Sequence, residues 1–276
     1  MKRLLCCLLA LALLMPALSL AQDAVTFTDS AGRSVQLPQN IERIAPSGPV
    51  AQMVLMSIAP ERMVGLATPF DRGEEAYMAN LKDLPVIGQL YGTRGDLNLE
   101  ELARLDPQVI IDIGEPKGTV GEDMDALQEQ IGIPCVHITM HLNDAGDAYR
   151  MLGELLGAQE KAQSLAAYCD EVYARAQDIM GKVGGNKASL LYSLGDAGLN
   201  VIARGSFHAE VLDLVADNAA VVDNPTSKGT GNEVDMEQLY LWEPGFIVFA
   251  PGSVYAKVGE DPLWQQLAAI REGRYV

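Results

Sequence analysis

Positively charged residues and cysteines are both scarce in this sequence. Lys and Arg number 20 against 37 Asp and Glu, which gives a formal net charge of −17 at pH 7. Such an acidic surface argues against nucleic acid and against anionic lipid head groups as binding partners. Two of the four cysteines lie in an apolar run at the start of the chain, and the other two are too few for a cysteine-rich metal site.

The short motifs that mark common enzyme classes are also missing. The chain has no Gly-x-Ser-x-Gly elbow, no His-Glu-x-x-His pair, no phosphate-binding loop and no Gly-x-Gly-x-x-Gly after a strand. We therefore predict a protein that is not an enzyme. A secreted hydrolase and an adhesin with a two-lobed α/β fold stay open as alternatives, because scattered carboxylates cannot be paired from one sequence.

The longest apolar run stands at the start of the chain. Lys2 and Arg3 precede an unbroken apolar stretch over residues 4–15, and small residues follow up to Ala21. This order predicts a secretory signal peptide over residues 1–21, cleaved near Ala21. The run is short for a membrane span, and an uncleaved anchor is the alternative. We expect a mature chain that is exported and soluble, in the periplasm or at the cell surface.

Cys135 and Cys169 are the cysteines that remain after cleavage. Export makes a disulfide between them possible. Cys135 lies in an apolar strand-like run and Cys169 lies on an apolar helix face, where a thiol behaves as a small buried hydrophobe. We favour two free thiols and leave the disulfide open.

Short apolar runs rich in β-branched residues alternate with amphipathic segments along the rest of the chain. Such alternation predicts a mostly parallel β-sheet with helices on both faces. Residues 159–183 carry apolar side chains at steps of three and four, which predicts one long helix of roughly 35 Å. We therefore predict an α/β fold with an N-terminal lobe over 22–142, connecting helices over 143–184 and a C-terminal lobe over 185–276.

Two segments of the chain repeat one pattern at a constant spacing. Residues 97–111 and 234–248 each place a capping residue before a short helix, a glutamate in its first turn and a proline before an apolar strand. The matched pairs are Asn98 and Asp235, Glu100 and Glu237, Leu102 and Leu239, and Pro107 and Pro244. We interpret this repeat as a sign that the two lobes are built alike.

Five segments form a recognisable series along the chain: the hairpin with Arg33, residues 41–44, residues 98–111, Arg204-Gly205-Ser206 and residues 235–248. In their order and spacing, the chain from about Val25 onwards resembles the periplasmic binding proteins of iron-siderophore, heme and cobalamin importers, the type with a helical backbone between lobes. The resemblance implies a monomeric substrate-binding component of an ABC importer, which delivers a small molecule to a permease dimer in the membrane. In that family a glutamate on each lobe engages the permease, and Glu100 and Glu237 are the matching residues.

The resemblance also implies a ligand held in the cleft between the lobes, by loops at the carboxyl ends of strands. Aromatic side chains there offer flat apolar contact, and Arg204 is the strongest candidate for bidentate binding of carboxylate or catecholate oxygens. We expect a metal chelate, with a ferric siderophore ahead of heme or a corrinoid. The expected ligand-binding residues are Ser47, Phe70, Tyr91, Arg94, Lys117, Arg204, Ser206, Phe207, His208 and Tyr255.

Neither a directly bound metal ion nor a resident cofactor is expected. His137 lies inside an apolar strand and is interpreted as a core residue. His141 and His208 alone do not supply the three or four converging ligands that zinc or manganese needs. One tyrosine or histidine is enough to hold heme, so Tyr91, Tyr255 or His208 keeps a heme ligand open.

The end of the chain departs from the pattern of the family. The resemblance implies further helices after the strand that begins near Tyr275, whereas this sequence stops at Val276. We therefore expect either a fragment or an abbreviated second lobe, with an open edge on its sheet.

Overall fold

The computed structural model describes residues 24–70, 73, 80–91 and 96–276. The predicted signal peptide over residues 1–21 and the expected ligand-binding residue Arg94 lie outside the described residues. The fold is α/β, as the sequence predicts, with two lobes joined by a long helix. Within the described ranges, no helix is both long enough and apolar enough to cross a bilayer.

A hairpin and a three-stranded parallel sheet form the framework of the first lobe. The strands are β1 (Ala24–Thr28), β2 (Ser34–Pro38), β3 (Ile44–Pro46), β4 (Val109–Gly114) and β5 (Cys135–Thr139). β1 and β2 pair antiparallel, whereas β3, β4 and β5 pair in parallel in that order. Isolated parallel bridges from Ile44 to Met63 and from Leu66 to Val86 accompany the sheet.

Apolar side chains alternate along β4 and build a core on each face of this sheet. Ile111 and Ile113 belong to one cluster, together with side chains of α1 (Pro49–Ile58). Ile110 belongs to a second cluster, together with side chains of α2 (Leu99–Leu105) and α3 (Val120–Ile131). Because successive strand residues point to opposite faces, a continuous apolar run of this kind marks a sheet covered on both sides.

Two packed helices, α4 (Ala145–Leu156) and α5 (Gln159–Val183), connect the lobes. Gly157 ends α4 in the left-handed conformation, with φ 63°. The helices approach closely, since a Cβ added to Gly153 would lie 2.5 Å from the Cβ of Ala162. With 25 residues, α5 is a rod of about 37 Å at 1.5 Å per residue. This confirms the predicted long helix.

The second lobe is built on a five-stranded sheet. Its strands are β6 (Ser189–Leu194), β7 (Asn200–Val201), β8 (Asp217–Asn218), β9 (Asn232–Glu233) and β10 (Phe246–Phe249). Its α-helices are α6 (Glu210–Val215), α7 (Met236–Trp242), α8 (Tyr255–Val258) and α9 (Ala268–Arg271). Short 3₁₀ helices occur at Pro60–Arg62 in the first lobe and at Phe207–Ala209 and Trp264–Gln266 in the second. Leu239, Ile247 and Trp264 are almost completely buried in its core.

Strand direction in this second sheet is mixed, where the sequence predicts a mostly parallel arrangement. β6 pairs in parallel with β8 and β10, but β7 pairs antiparallel with both β6 and β9. The cause is the short connection after β6. Gly195 and Gly198 both have positive φ, and the N–H of Gly198 donates to the carbonyl of Gly195 at 3.0 Å. A tight turn of this kind returns the chain beside β6, which requires an antiparallel pair.

The two repeated segments fold alike. The side chains of Asn98 and Asp235 cap α2 and α7, each accepting the backbone N–H three residues later, at 3.0 and 2.8 Å. Both helices end on a non-glycine residue with positive φ, Asp106 at 47° and Glu243 at 41°. α2 and α7 therefore begin and end alike, so the repeat holds for these two segments, whereas the sheets of the two lobes differ.

Both cysteines of the described chain are free thiols, as the sequence indicates. Cys135 is completely buried in β5, and burial raises the pKa of its thiol to about 12. Cys169 is partly buried on α5, and burial raises its pKa as well. Both thiols therefore stay protonated near neutral pH and act as packing groups.

Asp29 ties the opening hairpin to the first sheet. Its buried carboxylate accepts hydrogen bonds from the backbone N–H of Ala31, Arg33 and His137, at 3.0, 2.9 and 3.2 Å. The guanidinium of Arg33 donates to the same carboxylate and to the carbonyl of Cys135, both at 2.9 Å. Because a buried charge requires several partners, the attachment of the hairpin depends on this group.

Asp29→Ala should lower the free energy of unfolding by about 3–5 kcal/mol, because Arg33 and three backbone donors lose their buried partner. Urea unfolding followed by circular dichroism measures the change. Asp125→Ala is the matched control, since Asp125 also pairs with Arg33, at 2.8 Å, but its side chain is 69% exposed. A loss below about 1 kcal/mol is expected there. Equal losses from the two variants would contradict this role of Asp29.

Candidate functional site

The loops that follow the first-lobe strands meet at one edge of the sheet. β3 leads into Ser47, β4 into Glu115, and β5 into the loop that holds His141. The carboxyl ends of parallel strands share an edge, so these loops lie together. Phe207 of the second lobe reaches the same edge, because a Cβ added to Gly114 would lie 3.8 Å from its ring. The lobes therefore face each other across the carboxyl ends of β3, β4 and β5.

Polar and aromatic side chains link the lobes at this edge. Ser227 Oγ donates to Glu115 Oε1 at 2.8 Å. The rings of Phe207 and His141 meet edge to face, with centroids 5.6 Å apart. On α6, one carboxylate oxygen of Glu210 lies 2.5 Å from His141 Nδ1. The other oxygen accepts the backbone N–H of Leu142 at 2.6 Å. These contacts hold the second lobe against the first.

A hollow of about 400 Å³ lies beside these contacts. Its walls include Glu115 and His141 from the first lobe, Tyr173 from α5, and Ser206, Phe207 and Glu210 from the second lobe. The structure thus brings the expected residues Ser206 and Phe207 to a space that both lobes border. In the part of the chain that the structure describes, no group of three or more His, Cys, Asp or Glu side chains is arranged to hold a metal ion.

Tyr91 and Lys117 come together on the first lobe. Lys117 Nζ lies 3.6 Å from the centroid of the Tyr91 ring, which is a cation–π contact. The Tyr91 hydroxyl donates to Asp123 Oδ2 at 2.9 Å. Burial, and next this hydrogen bond, raise the pKa of Tyr91 above its usual range, so the phenol stays protonated. The pair presents an aromatic ring with a positive charge over its face. Lys117 lies two residues after Glu115, but neither member of the pair lines the hollow of about 400 Å³.

Ser47 stands at the top of a buried polar chain. Its hydroxyl donates to the carboxylate of Asp112, which also bonds His137 Nδ1 at 2.7 Å. His137 Nε2 lies 3.2 Å from Thr139 Oγ1. Ser47 is 2% exposed and His137 is fully buried. His137 is therefore a core residue with a partner for each ring nitrogen, as the sequence indicates. The Ser47 hydroxyl already donates its hydrogen bond to the buried Asp112.

Arg204 is placed away from the hollow that Phe207 lines. Its Nε donates to the carbonyl of Asn218 at 2.8 Å, and its Nη2 lies 2.5 Å from Asp217 Oδ1. The side chain borders a separate hollow of about 490 Å³, together with Lys187. The structure therefore does not bring Arg204 together with Phe207, because its guanidinium is bound within the second lobe.

The remaining expected residues are spread over the two lobes. Phe70 is partly buried against the first-lobe core. Tyr255 belongs to a second-lobe aromatic cluster, with its ring 6.2 Å from that of Phe249. His208 is exposed beside Phe207, with ring centroids 5.8 Å apart. His208 therefore stands next to the contact between the lobes, whereas Tyr255 and Phe70 each pack within one lobe.

Glu210 and Ser227 join the two lobes although neither was among the expected ligand-binding residues. Glu210 opens α6, where an acidic residue is ordinary because it stabilises a helix start. Ser227 lies in a polar loop after Pro225. Neither position has a local sequence signal, because their partners are 69 and 112 residues away.

Glu100 and Glu237 occupy equivalent positions on the two lobes. Each is exposed in the first turn of its helix, α2 or α7. The helices are capped and ended in the same way, so the two carboxylates have the same relation to their own lobe. One carboxylate per lobe is therefore available at the surface.

Comparison with known proteins gives one family match and several solved structures of the same fold. A family model described as periplasmic binding protein matches residues 47–276. An ABC transporter solute binding protein from Sulfurospirillum deleyianum is 24% identical, with a TM-score of 0.79 over 91% of this chain and 79% of that one. The molybdate periplasmic binding protein MolA of Haemophilus influenzae is 18% identical, with a TM-score of 0.69 over 91% and 82%.

A third solved structure, the petrobactin-binding protein YclQ from Bacillus subtilis, is 15% identical, with a TM-score of 0.67 over 92% of this chain and 89% of that one. None of the curated protein sequences matches this chain. At these identities the solved structures show the fold that is shared, and the family match spans both lobes. The chain belongs to the periplasmic binding proteins, the extracytoplasmic solute-binding components of ABC transporters.

Proposed function

We propose that this protein captures a metal chelate, with a ferric siderophore as the first candidate, in the cleft between its lobes and delivers it to an importer. The observation that carries the ligand class is the contact between Lys117 and Tyr91. It combines an aromatic surface with a cation in a chain whose net charge is −17. Ferric chelates of catecholate and carboxylate type present aromatic rings or negative oxygens, which such a surface recognises.

The carboxylate beside this pair and those at the contact between the lobes are all engaged in hydrogen bonds. Glu115 accepts the hydroxyl of Ser227, and Glu210 is bonded to His141. Asp123 accepts the Tyr91 hydroxyl at 2.9 Å. Because hydrogen bonds disperse the charge of a carboxylate, Lys117 can attract an anion although acidic groups surround it. One solved relative is described as petrobactin-binding, which supports a siderophore as the first ligand to test.

Heme is the second candidate, because His208 offers an exposed imidazole beside the ring of Phe207. A single histidine is sufficient to hold heme iron, and an adjacent aromatic ring packs against a porphyrin face. A corrinoid would use the same apolar surface without the negative charge. The three ligand classes therefore differ in which side chain they require.

Lys117→Ala should weaken binding of an anionic ferric siderophore by roughly 5- to 30-fold, because about 1–2 kcal/mol of charge attraction is lost. Quenching of tryptophan fluorescence during titration with ferric enterobactin, ferric petrobactin, hemin and cyanocobalamin measures the affinities. Lys161→Ala is the matched control, since Lys161 is an exposed lysine at the start of α5. Affinity for the siderophores should not change in that variant.

Two outcomes would contradict the siderophore assignment. One is tight binding of cyanocobalamin that Lys117→Ala leaves unchanged. The other is tight binding of hemin whose absorption spectrum changes in His208→Ala, with no binding of the ferric siderophores. The second result would move the assignment to heme.

We also propose that Glu100 and Glu237 contact the permease. The support is their equivalent, exposed placement on two helices of the same construction. Exposed carboxylates form charge-assisted hydrogen bonds with arginine and steer association at long range. A pair of such groups, one on each lobe, would orient the cleft towards the membrane.

Charge reversal at both positions, Glu100→Arg with Glu237→Arg, should abolish importer-dependent uptake, because each carboxylate would be replaced by a like charge facing an arginine. Ligand affinity, measured by fluorescence, should stay unchanged. The control is the double variant Glu129→Arg with Glu260→Arg, which reverses two other exposed glutamates. Uptake that survives the first double variant while ligand binding also holds would rule out this docking surface.

A further inference from the structure

Leu241 is the most exposed large apolar side chain in the described part of the chain, at 79%. It lies on α7, four residues after Glu237. Residues four apart on a helix occupy the same face. Leu241 and Glu237 are therefore neighbours on one exposed surface of the second lobe.

The second lobe does not need Leu241 for its own packing. Leu239 of the same helix is fully buried in the core. Tyr240 fastens the helix from another side, since its hydroxyl donates to the carbonyl of Leu263 at 2.8 Å. Trp242 is packed against the same core. Among the described residues, the helix is thus held by Leu239, Tyr240 and Trp242, while Leu241 stays exposed.

The equivalent position on the first lobe carries a different chemistry. The spacing that matches Glu100 with Glu237 matches Arg104 with Leu241. Arg104 Nε and Nη2 donate to the two carboxylate oxygens of Glu101, at 2.9 and 2.6 Å, and this bond lowers the pKa of Glu101. On α2, the Arg104–Glu101 ion pair therefore lies beside Glu100, whereas on α7 an exposed leucine lies beside Glu237.

We infer that Leu241 is an apolar anchor for the importer, and that the two lobes dock on permease surfaces of different chemistry. The inference rests on the proposed function, in which α2 and α7 face the permease. On the second lobe the partner surface would combine a cation for Glu237 with an apolar pocket for Leu241. On the first lobe it would be polar, to match Glu100 and the Arg104–Glu101 pair.

This asymmetry gives the docked protein one orientation. Identical contact surfaces on the two lobes would allow docking in two orientations related by a half-turn. A leucine buried in an apolar pocket is favoured, whereas the paired arginine in that same pocket would lose its water without a new partner. Specific interfaces commonly combine an attractive contact with such a penalty for the wrong arrangement.

The test uses the full exported chain and membranes that contain its importer. A photo-reactive phenylalanine analogue placed at position 241 should crosslink to a permease subunit, identified by mass spectrometry. The same group at position 172, an exposed apolar position on α5, should not. At position 104 it should crosslink to a different permease peptide from the one captured at 241.

The affinity of the siderophore-loaded protein for the importer in lipid nanodiscs gives the second readout. Leu241→Arg should weaken it at least tenfold, while Val172→Arg, at an exposed apolar position on α5, changes it less than twofold. Ligand affinity and melting temperature should be unchanged in both variants. If Leu241→Arg binds the importer with wild-type affinity, the inference is wrong, whether or not the melting temperature of the variant is lowered.

The two levels of the proposal fail separately. If charge reversal at Glu100 and Glu237 abolishes docking while Leu241→Arg docks normally, the docking surface stands and the anchor is wrong. If both sets of variants dock normally, α2 and α7 do not face the permease and the proposed docking surface fails with it.

Discussion

Glu210 stands at the start of α6 and binds two groups of the first lobe at once, the imidazole of His141 and the following backbone N–H. Both partners lie where the chain leaves β5 for α4 and α5. A carboxylate held on two sides has a defined direction, so this contact fixes how the second lobe meets the first. Phe207, one helical turn earlier, then reaches the ring of His141. The hollow between the lobes exists because these groups hold its walls at this separation.

The scarcity of positive charge gives each unpaired cation a larger role than it would have in a neutral protein. Arg33 and Arg204 are tied to carboxylates and backbone carbonyls of their own lobes. Lys117 instead lies over the ring of Tyr91. This ring carries no net charge, so it does not neutralise the lysine. In an acidic molecule an anionic ligand is repelled by most of the surface, so an attractive site must be local. Lys117 and Tyr91 form the local site that we propose.

The sequence predicts well what depends on local pattern, and poorly what depends on distant partners. The long helix over Gln159–Val183 and the copied helices α2 and α7 follow from apolar spacing, caps and prolines, which are properties of short segments. The antiparallel direction of β7 does not follow from the sequence, because the residues from Gly195 to Gly198 have the composition of many loops. The resemblance and its charge make Arg204 a candidate ligand-binding residue, but its pairing with Asp217 depends on how the second lobe folds. The contribution of Glu210 depends on a residue 69 positions away.

The copied units also connect the cleft with the surface that carries the glutamates. α2 leads through Pro107 directly into β4, whose far end holds Glu115 at the cleft. α7 leads in the same way through Pro244 into β10. Each strand is buried in the core of its lobe, and packed cores transmit displacement with little deformation. A change in the angle between the lobes at the cleft must therefore change the separation of α2 and α7. A partner that binds both helices can thus distinguish two arrangements of the lobes without touching the ligand, because differential contact with the two states is all that such recognition requires.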